Sequence, residues 1–183
     1  MNSSTRMPSN SEYLATKVLD GIKYDEIWLA DMKIADVKDF RFSESWPRQK
    51  DDYYVVCKQF KHADIVVFST PIYWYGISSL LKTFIDRWSE SLKTDPEFRQ
   101  TAKHKKIVLV LVGGDNPREK GQIIIEQFKY ICGFLGMDLY ATVIGEANRS
   151  LEIKMDLKAL DDAKKINQII KEGEGGTGCI NIK

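Results

Sequence analysis

Residues 63–88 read ADIVVFSTPIYWYGISSLLKTFIDRW. They begin with an unbroken apolar run, Ile65 to Phe68, of the kind that forms a strand buried on both faces of a parallel sheet. A loop with three aromatic residues and a glycine follows, and a helix with one apolar stripe begins near Ser78 or Ser79. In open α/β sheets, ligands bind at loops that leave the carboxyl ends of strands. The aromatic loop therefore either holds a flat, polar-edged ligand or caps the core.

Strand-like and helix-like segments alternate along the rest of the chain. The predicted strands are 26–30, 65–68, 106–112 and 139–144. The predicted helices are 12–22, 51–62, one from 78 or 79 to 88, 121–135 and 156–171, with loops at 33–50 and 94–106. Strict alternation of this kind favours an α/β fold with a doubly wound parallel sheet.

Length and composition indicate one ordinary domain over residues 1–183, with a Gly-rich linker at 173–178. The net charge of +1 gives no indication of nucleic-acid binding, and no stretch reaches the roughly 20 apolar residues of a membrane span. The first residues lack the apolar segment of a signal peptide. Because Cys57, Cys132 and Cys179 fit no metal-binding spacing, we expect reduced thiols in a cytoplasmic protein and no metal site.

Two polar loops are candidate ligand sites. Residues 3–11 are dense in hydroxyl side chains and precede a helix, whose N-terminal amides and dipole favour an anion. The alternative is an ordinary tail that ends in a helix cap. The second loop, Gly113 to Pro117, follows the strongest strand, and its glycines let the backbone approach a ligand closely.

The chain has no strand before its first helix, although a phosphate loop in this architecture normally follows a central strand. Residues 179–183, CINIK, are strand-like and follow the linker GEGGTG. We expect them to fill the central position in a circularly permuted order, since a helix-to-strand return of this kind is allowed. A disordered tail or a truncated start are the alternatives.

Two motifs resemble those of the flavodoxin-like NAD(P)H-dependent FMN reductases and quinone reductases. Residues 3–11, SSTRMPSNS, resemble the phosphate loop G-S-x-R-x-x-S-N-[ST] of this family. Residues 69–76, followed by Lys82, Asp86 and Arg87, resemble its s-P-x-Y-w block and the K-x-x-x-D-R that follows. The resemblance covers most of residues 1–172. It departs at Ser3, where the family has glycine, at the absent first strand and at residues 173–183.

The resemblance implies a flavodoxin-like, three-layer fold around a doubly wound parallel five-stranded sheet of order 2-1-3-4-5, with residues 179–183 as the candidate central strand. It also implies non-covalent FMN. The phosphate would contact Ser4, Arg6, Asn10 and Ser11. The ribityl chain and the ring would contact Pro71, Ile72, Tyr73, Trp74 and Gly76 on one side and Gly113, Gly114 and Asp115 on the other. No acid, base or nucleophile of the chain is implied, because the flavin carries the chemistry.

The function implied by the resemblance is an FMN-dependent enzyme with NAD(P)H as reductant and a quinone, a nitro or azo compound, or flavin as acceptor. A flavodoxin-type electron carrier is an alternative, although such carriers use strongly acidic surfaces and this chain has a net charge of +1. A flavin-free binding domain is the other alternative. Trp46, Tyr75 and Trp88 are expected to be exposed aromatics, and they suggest a homodimer that covers the flavin.

Overall fold

The computed structural model describes residues 1–173, in which one or more helices separate each parallel strand from the next. The helices are α1 (Asn10–Val18), α2 (Tyr53–His62), α3 (Ser79–Asp86), α4 (Trp88–Thr94), α5 (Phe98–Ala102), α6 (Pro117–Lys120), α7 (Gln122–Leu135) and α8 (Leu157–Glu172). The strands are β1 (Ile65–Pro71), β2 (Lys106–Gly113) and β3 (Asp138–Glu146). Short 3₁₀ helices cover Leu29–Asp31 and Glu152–Met155.

The three strands form one parallel sheet in the order β1-β2-β3. Successive side chains of a strand point to opposite faces, so the apolar runs of β1 and β2 supply two cores at once. One core lies against α2, α3, α4, α5 and α7, and it receives Phe68 and Leu109. The other lies against α1 and α8, and it receives Val67 and Val110. The expected α/β arrangement of a sheet between two helical layers is thus confirmed.

The central position beside β1 is held by the first residues of the chain. Asn2 forms single parallel bridges to Trp28 on one side and to Ser69 of β1 on the other. The predicted strand 26–30 was too long: after its one bridge, Leu29 enters a 3₁₀ helix that carries the chain away from the sheet. The sheet therefore has three strands within residues 1–173. The predicted central strand, residues 179–183, lies outside the described residues.

Other predicted boundaries shift for local reasons. The first helix begins at Asn10, two residues early, because Ser9 caps it, and it ends at Val18. The predicted loop 94–106 contains α5, whose Phe98 is fully buried. Trp46 and Trp88 were expected to be exposed, but both are buried. Trp88 packs in an aromatic cluster in the core, with its ring centroid 5.0 Å from that of Phe60.

The end of α7 offers a matched pair of glycine substitutions. Gly136 terminates the helix with φ of +72°, where a side chain is strained, so Gly136→Ala should lower the free energy of unfolding by about 1–2 kcal/mol. Gly133 lies inside the helix, with open space at its Cβ position, so Gly133→Ala should raise that free energy by about 0.5–1 kcal/mol. Urea unfolding measures both changes, and changes of the same sign would contradict this local geometry.

Candidate functional site

The candidate site lies at the carboxyl edge of the sheet. Parallel strands all end at the same edge, so the loops after β1, β2 and β3 meet there. The N-terminal loop joins them because Ser3 donates from its backbone nitrogen to Ser69 near the end of β1, at 2.9 Å. Two of the three loops that the sequence singled out thus follow adjacent strands, and the third begins beside the first strand.

The N-terminal loop turns into α1 through a buried group of hydroxyls. Ser9 caps the helix by accepting from the backbone nitrogen of Glu12, at 3.3 Å, and its Oγ lies 3.1 Å from Oγ of Ser11. Ser4 accepts from the backbone nitrogen of Arg6, at 3.2 Å. Hydroxyls, an arginine and the N-terminal amides of a nine-residue helix form a donor set that suits a phosphate group.

A further loop, residues 147–151, contacts this first one, although no sequence motif marks it as part of the site. Arg6 donates from a guanidinium nitrogen to the backbone oxygen of Asn148, at 2.9 Å. The side chain of Asn10 donates to the backbone oxygen of Arg149, at 2.8 Å. The sequence did contain a signal for this loop, because a polar segment directly after a parallel strand must reach the same edge of the sheet. Arg6 and Asn10, which were predicted to bind phosphate, thus each donate a hydrogen bond to this loop.

The aromatic loop after β1 is a tight and strained turn. Tyr73 and Gly76 exchange two backbone hydrogen bonds of 2.9 Å, as in a two-residue hairpin. Trp74 and Tyr75 between them have φ of +49° and +60°, a conformation that such turns normally give to Asn and Gly. A left-handed conformation costs a residue with a side chain about 1–2 kcal/mol. Trp74 is nevertheless 96% exposed, so the turn holds a large apolar ring in solvent at an energetic cost.

A cavity of about 160 Å³ opens between this turn and the loop after β2. Gly114 is closely packed there, since a Cβ atom at this position would lie only 1.7 Å from Oδ1 of Asn148. A Cβ on Gly113 would stand 3.1 Å from Cβ of Ile72. The backbone of both glycines is therefore packed closely against neighbouring loops. The cavity is lined by Ile72, Trp74, Tyr75, Gly113, Gly114, Asp115, Pro117, Lys120 and Gly121.

A polar bridge joins three of the residues that line the cavity. The Tyr75 hydroxyl donates to Oδ2 of Asp115, at 2.8 Å, and Lys120 pairs with the same oxygen at 2.6 Å. The hydrogen bond from Lys120, and then that from Tyr75, lowers the pKa of Asp115 below its ordinary value. Asp115, which the resemblance places beside the flavin ring, here joins two loops as an ionised acceptor.

The predicted site residues fall into two groups. Ile72, Trp74, Gly113, Gly114 and Asp115 line the cavity. Pro71, Tyr73 and Gly76 belong to the strand end and turn beside it, and none of the three lines it. Ser4 and Arg6 lie in the loop before α1, and Asn10 and Ser11 are its first two residues. Asn148 joins the groups by accepting from Arg6 and donating from its side chain to the Gly114 oxygen, at 3.4 Å.

Two findings concern other kinds of site. Across residues 1–173, no helix is both long enough and apolar enough to cross a membrane. In the same part of the chain, no group of three or more His, Cys, Asp or Glu side chains could hold a metal ion.

Known proteins resemble this chain over most of its length. The Bacillus subtilis protein YwqN, provisionally named as an NAD(P)H-dependent FMN-containing oxidoreductase, is 38% identical over 169 residues, covering 91% of this chain and 93% of YwqN. An FMN-dependent NADH:quinone oxidoreductase from Pelagibacter ubique is 29% identical over 192 residues, covering 92% and 96%. A solved structure of a Trp repressor binding protein from Bacillus subtilis superposes with a TM-score of 0.77 at 35% identity, covering 90% and 94%.

The family comparison agrees with the architecture. A sequence model of the flavodoxin-like fold matches residues 2–168, which include every described strand and the loops at the carboxyl edge. The chain therefore belongs to the flavodoxin-like fold family.

Proposed function

We propose that this protein is an FMN-dependent NAD(P)H oxidoreductase that reduces a quinone, a nitro or azo compound, or a flavin. The observation that carries the proposal is the aromatic turn, in which a strained backbone keeps Trp74 in solvent beside two closely packed glycines. Strained backbone and exposed aromatic surface both mark functional sites. The names of YwqN and of the Pelagibacter enzyme support the same cofactor and reaction.

In this proposal the FMN phosphate lies at the start of α1. Ser4, Arg6 and Ser11 supply donors and positive charge, and Asn10 holds the neighbouring loop in place through its bond to Arg149. The ring edge lies against Ile72, Trp74 and the backbone of Gly113 and Gly114, with Pro71, Tyr73, Gly76 and Asp115 around it. FMN held by these residues would supply the redox chemistry, namely hydride acceptance from NAD(P)H and electron transfer to the acceptor. The chain itself orients the cofactor and the substrate and excludes water.

Arg6→Ala should weaken FMN binding about 10- to 100-fold and leave riboflavin binding nearly unchanged, because charged hydrogen bonds contribute about 1.5–3 kcal/mol and riboflavin has no phosphate. Arg99→Ala is the matched control: Arg99 likewise donates from an exposed guanidinium to a backbone oxygen, that of Phe134, at 2.8 Å. Isothermal titration with both ligands measures the change. A loss of equal size for riboflavin, or for the control variant, would contradict phosphate binding by Arg6.

We also propose that two copies of the chain form the complete site. The cavity of about 160 Å³ is smaller than the roughly 300–1,000 Å³ of most small-molecule sites, so one copy encloses only part of a cofactor. Three exposed aromatic rings, those of Tyr73, Trp74 and Tyr75, offer an apolar surface beside it. Light scattering of the FMN-loaded protein should give twice the chain mass. A monomer that binds FMN fully would contradict this part of the proposal.

A cytoplasmic location is the remaining part of the proposal. Cys57 and Cys132 are both buried and free, and burial raises the pKa of the Cys132 thiol to about 12. Both thiols are therefore structural and unreactive, as in proteins of a reducing compartment. Fractionation of cells that express the full chain tests the location.

Turnover assays test the reaction. The FMN-loaded protein should oxidise NADH or NADPH in the presence of benzoquinone, with a rate that depends on both substrates. Bound FMN without any NAD(P)H oxidation would favour the electron carrier, and a protein that takes up no FMN would favour the flavin-free binding domain.

A further inference from the structure

Two backbone oxygens of the loop after β3 hold the phosphate side of the candidate site. The oxygen of Asn148 accepts from the Arg6 guanidinium, at 2.9 Å, and that of Arg149 accepts from the side-chain amide of Asn10, at 2.8 Å. A backbone oxygen moves with its loop. The positions of Arg6 and Asn10 therefore depend on the position of residues 147–151.

The same loop contacts the ring side of the site. The backbone nitrogen of Ala147 donates to the Gly113 oxygen, at 2.8 Å, directly after the last paired residues of β2 and β3. The Asn148 side chain donates to the Gly114 oxygen at 3.4 Å, and its Oδ1 lies where a Cβ atom on Gly114 would be. Because this hydrogen bond is long, the close packing of Asn148 against the Gly114 backbone is the stronger constraint. A shift of Asn148 would therefore move groups on both sides of the site.

The loop depends on polar contacts for its conformation. Asn148, Arg149 and Ser150 are exposed, so core packing does little to hold them. Leu151, the last residue of the loop, has φ of +58°, a left-handed conformation that costs a residue with a side chain about 1–2 kcal/mol. Strained backbone of this kind persists only where surrounding contacts hold it.

Glu152 supplies such contacts. Its Oε2 accepts from the backbone nitrogen of Asn148, at 2.7 Å, and from that of Arg149, at 2.8 Å. These hydrogen bonds, that from Arg149 first, lower the pKa of Glu152 below its ordinary value, so the acceptor is ionised at neutral pH. Hydrogen bonds to a charged acceptor are stronger than those between neutral groups. The carboxylate thus fixes two adjacent amides of the loop.

We propose that Glu152 is a positioning residue that acts through residues 147–151 to hold Arg6 and Gly114 in one fixed arrangement. Its carboxylate fixes the backbone nitrogen of Asn148, and the backbone oxygen and side chain of Asn148 then contact Arg6 and Gly114. The inference rests on the proposed function only for the ligand, whose phosphate and ring would occupy the two sides. Loss of Glu152 should therefore weaken the binding of both parts of FMN.

Amide NMR of the flavin-free protein tests the positioning. In the wild type, the amides of Asn148 and Arg149 should exchange slowly with solvent. Glu152→Ala should raise both exchange rates about tenfold or more and shift the amide signals of Arg6 and Gly114. Glu152→Gln keeps an oxygen that can accept, so it should restore most of the protection and bring both signals back toward their wild-type positions.

Glu126→Ala is the matched control for the loss of a carboxylate. Glu126 pairs with Lys129 on the exposed side of α7, at 2.5 Å, and both side chains are more than half exposed. This variant removes the same charge without altering the loop. It should change neither the exchange rates of the loop nor the signals of the site.

Isothermal titration with FMN and riboflavin extends the test to the ligand. Glu152→Ala should weaken the binding of both flavins about tenfold, as expected from the loss of charged hydrogen bonds that hold the site. Arg6→Ala, by contrast, should weaken the binding of FMN only. Glu126→Ala should bind both flavins as the wild type does.

Three results would overturn the proposal. The first is unchanged exchange of Asn148 and Arg149 in Glu152→Ala. The second is faster exchange without shifted signals at Arg6 and Gly114, which would limit Glu152 to a local structural role. The third is weaker binding of FMN with unchanged binding of riboflavin. A wild-type protein that binds neither flavin would contradict the proposed function, and the amide signals would still decide the role of Glu152.

Discussion

Replacing Arg87 with leucine is expected to lower the free energy of unfolding by about 3–5 kcal/mol. Arg87 lies between α3 and α4 with a side chain that is fully buried. It pairs with Asp51 at 2.5 Å and with Glu90 at 2.7 Å, and it donates to the backbone oxygen of Ala35 at 3.0 Å. Its guanidinium carbon also lies 4.4 Å from the ring centroid of Tyr53. Leucine would leave two buried carboxylates without a counter-charge, which is the cause of the loss.

Lys82→Leu is the control for this prediction. The charged groups of Lys82 and Asp86 lie 2.5 Å apart, but both side chains are more than a third exposed. Such surface pairs contribute about 0.3–0.5 kcal/mol, so urea unfolding should separate the two variants clearly. Similar losses for Arg87→Leu and Lys82→Leu would contradict a structural role for the buried pairs.

The same ion pairs predict a dependence on acid. Burial alone would raise the pKa of Asp51, but the hydrogen bonds from Arg87 and from the Ala35 backbone hold it below its ordinary value of 3.8. The folded state therefore binds fewer protons here than the unfolded state, and the contribution is full above pH 3.8. It is lost as the pH falls through the lowered pKa. The stability difference between wild type and Arg87→Leu should shrink over that acidic range, and a constant difference would contradict it.

The second large effect is expected at the aromatic turn. The double substitution Trp74→Asn and Tyr75→Gly should raise the free energy of unfolding by about 1–2 kcal/mol, because these residues adopt positive φ more readily. It should also weaken FMN binding about 10- to 100-fold, since stacking on an aromatic side chain contributes about 1–3 kcal/mol. Stability and binding should therefore change in opposite directions, as expected where function maintains strain.

His104→Gly is the control that separates the effect of a positive φ on stability from the effect of the aromatic turn on FMN binding. His104 also has a positive φ, +68°, but it precedes β2 at the amino edge of the sheet. This variant should gain stability and bind FMN as the wild type does. If the variant with Trp74→Asn and Tyr75→Gly bound FMN as tightly as the wild type, the turn would not be part of the FMN site.

The strands of the sheet were predictable because their residues are buried on both faces. The runs Ile65 to Phe68 in β1 and Ile107 to Val112 in β2 are apolar at every step, a pattern typical of strands buried on both faces. The segment 26–30 is apolar from Ile27 to Ala30, yet it forms a single bridge, from Trp28 to Asn2. Its partner Asn2 is followed at once by the loop, so the ladder has no room to extend at the carboxyl edge.

The sequence predicted which loops form the site, but not which residues of these loops contact one another. The polar residues 3–11, the aromatic turn and Gly113–Gly114 were identified from their positions after strands or before a helix. The sequence indicates that residues 147–151 reach the carboxyl edge of the sheet, but not that Asn148 contacts Arg6 and Gly114, because these contacts join segments far apart in the chain. Trp88 was misjudged for a related reason, since an amphipathic stripe does not reveal which aromatic ring enters the core.

Anaerobic reduction of the FMN-loaded protein tests the proposed function most directly. We expect the absorbance at about 450 nm, characteristic of bound oxidised flavin, to disappear on addition of one equivalent of NADH or NADPH. The Arg6→Ala protein should require more FMN to show the same change. Retention of the absorbance with both reductants, under conditions where FMN is bound, would contradict the account.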